Sequence, residues 1–304
     1  AAVEYVDTRN YTEPLFVFAI MVVAGSRAVL QAARDVVRAS CRVLPLGAGL
    51  AFTWVVLAVV PLLGSFITEP AAMTLAALLL RDRVLPHVAV RQRYAVLGVL
   101  FVNVSIGGTL TPFAAPPVLM VAGVWNWDLA FMLHTFGWKA AIAVLANATL
   151  LTLALRTALH ALPAAEAETA GRVPGSLVAA HLLLLAGVVV FAHHPPLFLG
   201  LLLMFLGVAT AYPQHQDRLI LREGLLVAFF LAGLVVLGGQ QQWWLEPLLT
   251  RMDAGQVFFG AIGLTAFTDN AALTYLGSLV PSLSDEFKVA LVAGAVTGGG
   301  LTVV

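Results

Sequence analysis

The chain is a succession of long apolar runs separated by short polar clusters. About seven to nine of these runs approach the ~20 mostly apolar residues that a helix needs to cross a hydrocarbon core. Nothing else in the sequence constrains the fold as much. A backbone in lipid must satisfy its own N–H and C=O groups, so runs of this length read as helices. Composition agrees. The chain is 61% hydrophobic and 11% charged, where soluble domains carry roughly a quarter charged residues. The expected class is an all-α polytopic membrane protein, multi-pass, with the lipid bilayer as its main partner. No basic stripe is interleaved with aromatics, so nucleic acid is not an expected partner. Cys41 stands alone, so no internal disulfide forms. No Ser/His/Asp, metal-ligand or phosphate-loop spacing stands out, so neither a catalytic residue nor a resident cofactor is expected. The chain begins without Met and ends inside an apolar run, and trimmed ends or a missing earlier helix or leader are expected.

The most informative stretch is Leu264 to Leu276, where Thr265, Thr268, Asp269, Asn270 and Thr274 interrupt an apolar run. In water Thr268-Asp269-Asn270 would be an ordinary helix N-cap. In a membrane an ionisable residue costs about 3 to over 10 kcal/mol and usually faces a cavity, a partner or an ion. A similar stretch lies two hundred residues upstream. Phe66-Ile67-Thr68-Glu69-Pro70-Ala71-Ala72-Met73-Thr74 lines up with Ala266-Phe267-Thr268-Asp269-Asn270-Ala271-Ala272-Leu273-Thr274, setting Glu69 on Asp269. Thr12-Glu13-Pro14-Leu15 pairs with Arg222-Glu223-Gly224-Leu225, and Gly107-Gly108-Thr109-Leu110-Thr111 with Gly298-Gly299-Gly300-Leu301-Thr302. The matches keep the same order, which marks a duplicated unit.

The expected layout follows. A first repeat covers 11–159, with a hairpin at about 45–80 and a broken helix at 94–124. A linker covers 160–175. A second repeat covers 176–304, with a hairpin at about 255–281 and a broken helix at 289–304 that is incomplete at the C-terminus. Short Arg-rich loops belong in the cytoplasm. Arg34, Arg38 and Arg42 precede the Glu69 element, and Arg81, Arg83, Arg91 and Arg93 follow it. Both flanks are basic, so this element reads as a re-entrant hairpin entering from inside. The Asp269 element is flanked by Glu246, Arg251 and Asp253, then by Asp285, Glu286 and Lys288, and reads as a hairpin entering from outside. The runs between them give an odd number of crossings, as this requires. Arg156, Arg172, Arg218 and Arg222 then fall inside, and the N-terminus falls outside. Two inverted repeats are the expectation, and such folds hold their substrate at the repeat interface on discontinuous helices.

Glycine and proline inside a spanning run free backbone carbonyls and amides, tolerated where they line a cavity. Oxygen ligands suited to a hard cation gather there. One half offers Thr68, Glu69, Thr109 and Thr111, with Asn103 one turn before the Gly107-Gly108 break. The other offers Thr268, Asp269, Asn270 and Thr297 beside Gly298, Gly299 and Gly300. Sodium is expected at Thr268, Asp269 and Asn270. A buried carboxylate can hold either a proton or a cation, which is the core of an antiport cycle. Glu69 and Asp269 are the expected exchangers. The bland alternatives are N-caps at both acids and helix packing at the glycines. Lys139, deep in its helix, either pairs with a site carboxylate or points along the helix to an interface. Glu13 and Glu223 read as helix-dipole partners.

The residues Asn103 to Val118 and Ala266 to Tyr275 resemble the signatures of a sodium–proton antiporter family within the ion transporter superfamily, which also holds arsenite, citrate and dicarboxylate carriers. The resemblance covers nearly the whole chain. It implies two inverted repeats, each with a re-entrant hairpin and an unwound helix. It also implies a scaffold domain that often forms a homodimer, and elevator-like movement. Dicarboxylate carriers tend to carry neutral serine, asparagine and threonine at both tips. Thr68-Glu69-Pro70 and Thr268-Asp269-Asn270 replace these with acids, which favours cation or proton work. The expected function is therefore a secondary cation–proton antiporter moving a small ion, sodium, in a bacterial-type inner membrane. The alternatives are a carrier of a small organic or inorganic anion and a non-transport scaffold subunit.

Overall fold

A computed structural model describes residues 2–162 and 171–301. Among these residues every regular element is a helix. Pro163, Glu166 and Glu168 of the expected linker lie outside the described residues, as does Thr302. A short helix α1 (Ala2–Asp7) leads into α2 (Thr12–Ala24) and α3 (Arg27–Val43). The sequence runs apolar to about Leu30, but the helix turns by 65° between α2 and α3 at Gly25-Ser26. The bend lets α3, strongly amphipathic, turn its basic face outward. There Arg27 bonds the Gly171 carbonyl, Gln31 bonds Val173, and Asp35 pairs with Arg172. The far end of the linker is thus strapped to the basic side.

The first hairpin is α4 (Ala48–Ile67) and α5 (Glu69–Arg83), packed together and joined by Thr68 alone. Arg83 stacks on the Phe52 ring, bringing the two open ends together. The broken helix follows as α6 (Val90–Gly107), a short 3₁₀ turn at Gly108–Leu110, and α7 (Pro116–Trp125). Pro116 and Pro117, lacking N–H groups, suit the first turn of α7. Next, α8 (Leu129–Met132) and α9 (Trp138–Ala154) form one apolar rod of 26 residues, with α10 (Arg156–His160) bent off its end. A π-helical turn, Leu133–Gly137, joins α8 to α9 and packs against the 108–110 turn.

The second half begins with α11 (Gly175–Val190) and α12 (Pro195–Ala211), then α13 (Leu221–Gly233), extended by a second π turn to Gly238. Tyr275 and Tyr5 donate to the carbonyls of Val235 and Val236 in that turn. A short helix the sequence reading does not separate, α14 (Gln242–Leu249), tucks Leu245 and Leu249 against the base of the second hairpin. That hairpin is α15 (Ala254–Thr265) and α16 (Asn270–Ser278), followed by α17 (Asp285–Gly299). Asp253 and Ser284 cap α15 and α17.

Among the described residues four helices are long and apolar enough to cross a membrane: Ala48–Ile67, Val90–Leu110, Leu129–Ala154 and Leu221–Gly238. The bent α2–α3 pair makes a fifth if counted as one span, while α11 and α12 are apolar but shorter. Two packing groups emerge. Helices α2, α11, α12 and α13 pack on one another, while α15, α16 and α17 gather around α6 and α7.

Candidate functional site

The hairpin α4–α5 and the break after α6 satisfy each other's orphan backbone groups. Pro61 inside α4 has no N–H, so the Leu57 carbonyl lacks its helical donor. Asn103 Nδ2 donates to it at 2.8 Å and to Val144 O at 3.2 Å, while Asn147 donates to Asn103 Oδ1 at 3.0 Å. Asn103 is fully buried among α4, α6 and α9, and both amide donors are engaged. It ties the packing together one turn before the break rather than facing it. Near the tip, Ser65 Oγ donates to Gly107 O at 2.7 Å and accepts from Leu110 N at 2.9 Å, and Thr111 Oγ1 donates to Ser65 O at 2.6 Å. These groups have no helical partners because one helix stops at Ile67 and the other at Gly107. Thr109 turns its hydroxyl hydrogen onto Ile106 O. Gly107 lets α6 approach: a Cβ there would lie 2.7 Å from Pro61 O.

The tip sits at the level of the break, well inside the structure. From the break, α7 continues for 10 residues to Trp125, about 15 Å at 1.5 Å per residue. At the tip Thr68 adopts φ 75°, ψ 150°, a region that a β-branched residue rarely enters. Its hydroxyl is buried and has no hydrogen-bond partner. Glu69, half-buried, opens α5.

The second tip is built differently. Its arms diverge, and α16 packs on α7 and α17. Asp269 is exposed and caps α16 by accepting from Ala272 N at 2.8 Å. Thr268 bonds Leu264 O at the end of α15, and Thr297 bonds Ala293 O within α17. Helix α17 runs through Gly298 and Gly299 and ends at Gly300, so the interruption expected across all three glycines begins only at the last of them. Neighbours approach the glycines closely. A Cβ on Gly299 would lie 2.5 Å from Asn270 Nδ2 and 3.4 Å from Ser105 Oγ, and one on Gly300 would lie 2.8 Å from Val102 Cα. Ser105 Oγ also donates to Val296 O at 2.8 Å.

The halves therefore meet. The second glycine run touches α6 at Val102 and Ser105, and Glu69 lies within electrostatic reach of Asp269. Each carboxylate stands at the N-terminus of the second arm of its hairpin. Two such termini contribute roughly half a positive charge each, which leaves about one net negative charge between the tips when both acids are ionised. Lys139 takes no part. It is exposed and lies over the Trp138 ring. His193 and His194 form a turn, and no group of three or more potential metal ligands occurs among the described residues. Sequence reading missed Ser65 and Ser105 as members of this network. Ser65 lies one turn before the tip, but only knowledge that the break packs there would have singled it out.

Apolar helices long enough to span a bilayer, carrying polar residues at their breaks, define an integral helical membrane protein. The sequence profile of the family described as Putative Na+/H+ antiporter matches residues 1–304, and the chain belongs to that family. A search of curated proteins finds no match to it.

Proposed function

We propose that the protein exchanges a monovalent cation, sodium, for protons across a bacterial-type inner membrane. The observation that carries this is the approach of Glu69 and Asp269 from two hairpins, beside the buried, unpartnered Thr68 hydroxyl. About one net negative charge balances either one proton or one sodium ion. The two then compete, and competition for one site is what couples opposite fluxes. Thr68, Thr268 and Asn270 supply neutral oxygens, and the hydroxyls of Thr109, Thr111 and Thr297 keep lone pairs after donating.

An inverted-repeat reading is supported by where each hairpin's ends lie. The ends of α4 and α5 gather with the Arg-rich loops and α10. The outer ends of α15 and α16 meet elsewhere: Val257, Val280 and Leu283 cluster with Leu245 and Leu249 of α14, and Ser282 contacts Glu246. Both hairpins are then re-entrant, from opposite faces. Elevator-like movement would carry the hairpins against the α2–α11–α12–α13 group, which is also where a homodimer would form.

Proteoliposomes loaded with a pH-sensitive dye test the function. An inward sodium gradient should drive proton efflux. No proton movement with any alkali cation overturns antiport, and uptake of a labelled anion without cation-driven proton flux favours the anion carrier.

Thr68→Val keeps the β-branched shape and deletes the hydroxyl. Removing an unpaired buried polar group should leave stability unchanged or raise it by about 1 kcal/mol. If the hydroxyl is a ligand, the sodium concentration for half-maximal exchange should rise roughly tenfold, the equivalent of about 1.4 kcal/mol. Unchanged sodium dependence removes Thr68 from the site.

A further inference from the structure

A cavity of about 470 Å³ opens between α2, α7 and the C-terminal end of α11. It is separate from the tips but reaches the same break: Pro112 and Phe113, just past Thr111, form part of its lining. Glu13 and Asp128 line it together with His193. Glu13 Oε1 and His193 Cε1 would both lie 3.6 Å from a Cβ on Gly123, so the carboxylate and imidazole flank the same spot on α7. The three polar segments come from distant parts of the chain, and the charge pattern assigns all of them to the face opposite the Arg-rich loops. Asp128 has one carboxylate oxygen engaged in capping α8, through Phe131 N at 2.7 Å. Glu13 is half-buried in the wall.

We propose that this cavity is a water-filled, cation-selecting vestibule, with Glu13 as its principal binding group for a monovalent cation or proton on the way to the break. It deepens the antiport reading and rests on it for the identity of the travelling cation. Carboxylates in a concave site raise the local concentration of cations, and here Glu13 and Asp128 supply them, with the His193 imidazole beside Glu13. The position of Glu13 on the wall leading to Pro112 makes that concentration available next to the broken helix.

The test needs no transport. Gly123→Cys is introduced after Cys41→Ser removes the native thiol. A Cβ at position 123 makes only ordinary van der Waals contacts, so the cysteine fits. Ala192→Cys, on the opposite wall, serves if the first variant does not fold. In nanodiscs at pH 8, the thiol is labelled with a cationic or an anionic methanethiosulfonate reagent. Rates are normalised to free glutathione. Both reagents attack the same thiolate, so their ratio cancels any effect of the surroundings on thiol ionisation. The expected ratio favours the cation by about tenfold or more, and falls towards unity in Glu13→Gln. A thiol unreactive until the protein is denatured, equal normalised rates, or a preference that survives Glu13→Gln each overturns the proposal. If the wild type moves no protons in proteoliposomes but the preference and its loss are seen, antiport fails while the vestibule stands.

Discussion

Asp269→Asn should abolish sodium-driven proton movement while leaving the protein folded. The substitution separates the capping role that the structure shows from the exchange role proposed for this residue. As a cap, Asp269 accepts from Ala272 N. Asn caps helices about as well as Asp, so the capping role predicts a stability change within a few tenths of a kcal/mol. As an exchanger, Asp269 provides a charge and a site for a proton, and Asn provides neither. With one acid left opposite the two helix termini, the net charge between the tips falls from about −1 to near zero. Exchange in proteoliposomes should drop at least a hundredfold, which corresponds to about 2.7 kcal/mol. Thermal unfolding in detergent should match the wild type. Exchange that survives at wild-type rate would reduce Asp269 to a cap. Lost exchange together with a collapsed unfolding midpoint would point to structure rather than chemistry.

A large stability effect is expected at Gly298. A Cβ there would clash with Thr265 Oγ1 and would lie 2.5 Å from Ile262 O and 2.8 Å from Ile262 Cα. Two of these contacts are to backbone, so no rotamer change relieves them. Helices α15 and α17 must separate, and that undoes the packing that seats the second tip. Overpacking of this kind costs about 1–3 kcal/mol and occasionally more, and Gly298→Ala belongs at the upper end. A depressed unfolding midpoint with reduced exchange is the expected pair of results. An unshifted midpoint would mean that α15 and α17 do not hold this close approach in the membrane.

Much of this architecture is legible in the sequence because lipid leaves a chain few choices. Apolar runs predict helices, and every regular element among the described residues is a helix. The pairing of Glu69 with Asp269 comes from the short repeat alone, and the two acids lie within electrostatic reach of each other. What could not be read depends on three-dimensional neighbours. The bend at Gly25-Ser26 goes with contacts of Arg27, Gln31 and Asp35 to residues 171–173, far off in the chain. Asn103 is legible as polar and near a break, but its partner, the Leu57 carbonyl, is freed by Pro61 four residues later in another helix. The close approach of Ile262, Thr265 and Asn270 to Gly298 and Gly299 is likewise a matter of distant neighbours that no local pattern records.

The bonds joining Ser65 to Gly107, Leu110 and Thr111 have a kinematic consequence. They lock the first hairpin tip to the first break, with a buried hydroxyl network on one side and a close glycine contact on the other. Those parts can travel only as one rigid block. The second tip is held differently: its arms diverge, its Thr268 hydroxyl is turned back onto its own helix, and Gly298 closes on Thr265 and Ile262. The two tips are therefore fastened by unlike means, side-chain hydrogen bonds on the Glu69 side and glycine packing on the Asp269 side.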